Sequence, residues 1–104
     1  MKLGIKDSLN EIFEQLRGTP TLFLGTDDVK LLAAYLNGVL AVQSEEQAVD
    51  NKAELYDFGR WLATKYERPS GWAWWRTIEK EAYWLGTSEC ALTWKLWDEF
   101  IASL

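Results

Sequence analysis

Residues 8–20 read SLNEIFEQLRGTP and contain a helix together with both of its ends. Leu9, Ile12, Phe13 and Leu16 fall at i, i+3, i+4 and i+7, the spacing that gathers one apolar face on a helix over 8–17. Ser8 followed three residues later by Glu11 is a capping-box pattern. Gly18 and Pro20 supply the stop. A 3.6-residue period with its punctuation written out predicts an all-α chain, provided the rest repeats the pattern.

Working outward, GTPTLFLGT (18–26) is too short and too punctuated for a core strand and reads as a packed loop, with Thr21–Leu24 as an alternative short strand. Thr26 or Asp27 is placed to cap a second helix over 27–43, with Leu32, Tyr35, Leu36, Val39 and Leu40 inward and Asp28 in the first turn. Gly38 inside it costs about 1 kcal/mol against alanine, which predicts a close approach by a neighbouring helix. Residues 43–52, QSEEQAVDNK, lose the apolar period and read as the most mobile loop. A third helix is predicted over 51–67 with Leu55, Phe58, Leu62 and Tyr66 inward, ended by Pro69. Ser70 is the expected cap of a fourth helix over 71–85. Its inner face would carry Trp72, Trp75, Ile78, Ala82 and Leu85, with Trp74, Arg76 and Glu81 pointing elsewhere. The last helix, over 87–103, starts at Thr87 or Ser88 and aligns Cys90, Trp94, Trp97, Ile101 and Leu104, widened by Leu96 and Phe100. Five helices joined by short loops make one helical domain spanning 1–104.

Composition removes whole classes of chemistry. The chain has 104 residues and no histidine, which excludes Ser-His-Asp and Cys-His nucleophile systems and His-ligated metals. Its single cysteine, Cys90, can form neither an internal disulfide nor a zinc cluster; it reads as a small core residue in a reducing setting. The opening MKLGIKDSLN is too polar for a signal peptide and no apolar run approaches a membrane span, so a cytoplasmic protein is expected. A formal charge of −5, from 11 Lys plus Arg against 16 Asp plus Glu, argues against nucleic-acid and anionic-membrane binding, and the basic residues are scattered along the chain.

One resemblance covers most of the chain. Arg17-Gly-Thr-Pro20-Thr-Leu-Phe23-Leu24-Gly25, Ala34-Tyr35-Leu36-Asn37-Gly38, Tyr56-Asp57-Phe58, Gly71-Trp72 and Leu96-Trp97-Asp98-Glu99-Phe100 occur in that order. The arrangement resembles a group of small bacterial helical proteins carrying an R-x-x-P-x-x-[YF]-L-G … W-D-E-F pattern. The resemblance implies a small bacterial helical protein and brings no catalytic residues, cofactor or metal with it.

The candidate surface lies between Arg60 and Arg76. Trp, Tyr and Arg dominate binding hot spots because they join large rigid area to a polar handle. Trp72, Trp75, Trp94 and Trp97 fall on inward stripes and are read as core. Trp74 falls off its helix's inward stripe, so Trp74 or Trp61 is expected to be a surface anchor, with Arg60, Tyr66 and Arg76 beside it. The expected function is therefore a non-enzymatic interaction module, immunity- or antitoxin-like, binding another protein or a second copy of itself. The alternative is a small-molecule-binding protein or weak enzyme whose aromatic pocket lies between the third and fourth helices, with Arg60, Asp57 or Glu81 converging on it and Tyr56 as a further catalytic candidate. Paired acids at Asp27-Asp28, Glu45-Glu46 and Glu79 with Glu81 read as solvated caps, since no ligand-spaced motif supports a metal. Single-stranded nucleic acid has its stacking aromatics but lacks a basic groove.

Overall fold

The computed structural model of the chain describes residues 8–18 and 27–104. Five helices follow in order: α1 (Leu9–Gly18), α2 (Val29–Ala41), α3 (Glu45–Tyr66), α4 (Trp74–Leu85) and α5 (Glu89–Ala102). There is no strand among the described residues, and the chain is all-α as expected. The loop expected over 18–26, with its alternative strand at Thr21–Leu24 and the Thr26 cap, lies outside the described residues apart from Gly18, which ends α1. Among the described residues, no helix is long and apolar enough to cross a membrane.

α1 forms as read: the Glu11 N–H donates to Ser8 Oγ at 3.2 Å and the Ser8 N–H reaches Glu11 Oε1 at 3.4 Å, closing the capping box. Its Leu9, Ile12, Phe13 and Leu16 are fully buried. They join one contiguous core that draws residues from all five helices.

α3 begins well before the expected boundary, because the polar stretch assigned to a loop is helical from Glu45. Ser44 caps it, accepting from the Gln47 N–H, and Glu45 and Glu46 sit in the first turn where the helix dipole favours them. The inward position that should have carried a hydrophobe is Asn51, which is buried. Its Oδ1 accepts from the Leu9 N–H at 3.0 Å and its Nδ2 donates to Gln43 Oε1 at 2.8 Å. A satisfied amide thus takes the place of an apolar residue and ties the start of α1 to α3.

α4 differs most. It starts at Trp74, with Ala73 at the N-cap offering no side-chain hydrogen bond, so Ser70 does not cap it. Starting there turns Trp74, Thr77, Ile78 and Ala82 inward. Trp74 is only 8% exposed, whereas Leu85, expected inside, is 62% exposed. The expected surface role of Trp74 is therefore overturned. Its indole packs on Phe58 and Phe13, with ring centroids 6.0 and 6.3 Å apart. Gly59 lies against it: a Cβ at that position would stand 3.4 Å from Trp74 Cβ. The close approach predicted for Gly38 occurs at Gly59 instead, while Gly38 faces open space.

The remaining inward stripes hold with trimmed ends. Tyr35 and Leu104 lie at the surface rather than inside, and Cys90 is half-buried. Trp97 is fully buried against Phe13 and Phe58, with centroids at 4.5 and 5.1 Å, and its Nε1–H donates to Asn10 Oδ1 at 2.8 Å. Arg17 clamps α1 to α5 with hydrogen bonds to both Asp98 carboxylate oxygens at 2.9 and 3.2 Å.

α2 and α5 cap each other. Asp28, not Asp27, caps α2. The Asp27 carboxylate instead accepts from the Glu89 and Cys90 N–H groups, each at 2.9 Å, at the start of α5. Glu89 reciprocates by accepting from the Val29 N–H at 2.9 Å. Burial alone would raise the Asp27 pKa, but hydrogen bonds from Ser88 and the Cys90 and Glu89 amides hold it below the ordinary value. Burial and the neighbouring Glu79, Asp28 and Asp27 charges push Glu89 up, against the hydrogen bond from Val29.

Trp74→Ala should cost about 3–5 kcal/mol by leaving a cavity over Gly59. Gly38→Ala should instead stabilise the chain by about 1 kcal/mol, since it removes helix-interior glycine without a contact to lose; urea denaturation measures both. A carboxylate held low, such as Asp27, contributes stability above the ordinary range that is lost as pH falls through its folded value, whereas Glu89 and Glu54, held high, recover stability on mild acidification. Asp27→Asn should therefore lower Tm at pH 7, with the gap to wild type closing as pH falls below the ordinary carboxylate range; calorimetry across pH shows whether it does.

Candidate functional site

A groove of about 440 Å³ opens between α2, α3 and the connection into α4. Its position follows from helix periodicity. Lys52, Leu55, Tyr56, Gly59 and Arg60 recur at helical spacing along one stripe of α3 and form one wall. Ala33, Asn37 and Leu40 recur at i, i+4 and i+7 on α2 and form the opposite wall. The segment from Ser70 to Trp75 completes it, with Trp72 and Trp75 half-buried and Trp74 beneath them in the core.

The burial of Trp74 decides this site. Once Trp74 turns inward, Trp75 beside it on α4 and Trp72 before the helix meet the groove. Arg68 anchors the connection from α3 to α4: its Nε and Nη2 both donate to Glu81 Oε1, at 3.0 and 2.8 Å.

Cations collect around these rings. The Arg76 guanidinium lies 4.3 Å from the Trp72 ring centre and that of Arg68 lies 5.8 Å away. Lys30 lies over Trp75 at 5.5 Å, and Arg60 over Tyr56 at 6.0 Å. Among the described residues, Lys52 and Arg60 are the charged members of the lining and no carboxylate belongs to it. Basic residues that are scattered in the chain are gathered in the fold.

Of the five residues singled out for binding, Arg60 lines the groove, Trp74 forms its floor and Arg76 covers Trp72 at its edge. Trp61 and Tyr66 are not brought to it. Trp61 stacks on Phe58 and packs against Phe100 of α5, and Tyr66 packs on the core. Burial, with help from the Glu81 and Glu99 charges, raises the Tyr66 phenol. Lys52, Trp72 and Trp75 were missed as site residues; the i, i+4, i+8 recurrence of Lys52, Tyr56 and Arg60 was the available signal.

The catalytic candidates do not converge. Tyr56 lines the groove, Asp57 is exposed outside it and Glu81 is engaged by Arg68. Burial and the nearby Asp27 charge push the Cys90 thiol up to about 11, which leaves it a poor nucleophile near neutral pH. Asp28, Glu79 and Glu89 bring carboxylate oxygens within 4.8 Å of one another, but Glu89 is already occupied in capping α2.

The chain matches no known family model, no curated protein and no solved structure at a significant level.

Proposed function

We propose that the chain is a non-enzymatic binding protein whose ligand occupies the groove between α2, α3 and the start of α4. Of the residues expected to converge between the third and fourth helices, Arg60 lines this groove and Asp57 and Glu81 do not. The observation that carries it is the groove itself: about 440 Å³, within the roughly 300–1,000 Å³ of small-molecule sites, with aromatic walls and few polar groups. Among the described residues its lining has no carboxylate or thiol for proton transfer or nucleophilic attack, which favours holding a molecule over transforming one. The half-buried free thiol of Cys90 suits a reducing compartment, so the proposal includes a cytoplasmic setting.

Mapping a library of small aromatic compounds by amide and indole NMR checks the proposal. Perturbations should cluster on Gly59, Gly71 and the Trp72 and Trp75 indoles, and Trp72→Ala should abolish them while the fold, read by circular dichroism, is retained. Perturbations that avoid this cluster would overturn it.

A second reading, protein recognition in an immunity- or antitoxin-like role, draws on a different face. At the end of α4, Tyr83, Trp84 and Leu85 are 78%, 71% and 62% exposed, and the Tyr83 and Trp84 rings pack edge to face at 5.6 Å. Exposed aromatics of this size are typical anchors, and an isologous contact would use them twice. Light scattering over a concentration series should then show self-association that Trp84→Ser removes. A monomeric mass at every concentration would rule out the dimer.

A further inference from the structure

We infer that the ligand of this groove is a planar-ringed molecule bearing a phosphate or carboxylate, with the anion held at Arg60 beside the start of α4 and the ring lying along Tyr56, Trp72 and Trp75. The inference rests on the groove being a binding site and adds the chemical class of what it binds.

Charge placement is the first argument. Of the 11 basic residues, two line the groove (Lys52 and Arg60), and three more lie over the rings of its tryptophans: Lys30, Arg68 and Arg76. In a chain with 16 acidic residues, a lining that has two cations and no carboxylate among the described residues is a local reversal of sign. Arg68 is neutralised by Glu81, but neither Lys52 nor Arg60 forms an ion pair with a described carboxylate.

The two ends of the groove differ, which gives the ligand a direction. Lys52 and Arg60 are eight residues apart on α3, about 12 Å along the helix axis. At the Arg60 end, Gly59 lets the first turn of α4 come close: the Trp74 backbone nitrogen is 3.7 Å from where a Cβ of residue 59 would stand. Ala73 gives that turn no side-chain cap, and Ala73 and Trp74 line the same groove as Arg60, so the positive end of the α4 dipole is at the groove. The planar fork of Arg60 suits phosphate or carboxylate, which accept paired hydrogen bonds. The aromatic walls supply the complementary surface for a ring. A volume of about 440 Å³ accommodates a mononucleotide or a bicyclic aromatic acid. A nucleic-acid polymer would extend past the groove onto a molecule of net charge −5.

The test titrates the ¹⁵N-labelled protein with 5′-AMP and 1-naphthoate, beside their neutral counterparts adenosine and 1-naphthalenemethanol. At least one anion should perturb the Gly59, Gly71 and Trp72 signals and bind ten-fold or more tightly than its neutral counterpart, with affinity falling as salt rises. Arg60→Gln should remove that preference and Arg60→Lys restore part of it, both with the wild-type Tm. Preference for 5′-AMP identifies phosphate as the anion, and preference for 1-naphthoate identifies carboxylate. Equal binding of neutral and anionic probes in the groove would overturn the inference and leave the groove as a binding site. Failure of all four probes to perturb the groove would count against both.

Discussion

The packing of Trp74 against Phe13 and Phe58, over a glycine at position 59, is the contact on which the rest of the molecule turns. It joins α4 to α1 and α3 through one side chain. A Leu or Lys at position 59 would hold α4 away from α3, and the indole would lose its seat. With it seated, the helix register is set, the Trp97–Phe58–Phe100 cluster is closed on one side, and Trp72 and Trp75 are left half-buried at the edge. Large aromatics packed at off-face angles fill space with few rotamers, which suits a small domain with limited core.

Polar contacts then fix the helices to one another at their ends. Asn51 holds the first turn of α1, Arg17 joins α1 to α5, Arg68 holds the α3–α4 connection through Glu81, and Asp27 and Glu89 exchange caps between α2 and α5. Each replaces a solvated helix end by a partner from a distant part of the chain, so the ends help to specify the packing order. The same economy shapes the groove: where α4 begins without a side-chain cap, the neighbouring side chains are cationic rather than acidic.

Much of the fold was legible because it is local. The 3.6-residue period of Leu9, Ile12, Phe13 and Leu16, the Ser8–Glu11 box and the Ser88 cap depend on residues a few positions apart. The first turns of α3 were not legible, because Asn51 at an inward position breaks the apolar period and its partners, Leu9 and Gln43, are known only in the fold. Arg60 was singled out by its type, and it lines the groove. The depths of Trp74 and Trp75 were misjudged because adjacent positions on a helix face about 100° apart and both fall one turn before Ile78, so the period alone admits either as the inward residue.

The sequence by itself therefore determined the class, the number of helices and most of the inward stripes, since propensity, capping and periodicity act over one or two turns. Tertiary structure alone decided which tryptophan is core, which glycine marks a close approach, and that five basic residues spread from Lys30 to Arg76 meet around one aromatic groove. Those outcomes depend on contacts between helices, and nothing in the local pattern of any one helix encodes its neighbour's register.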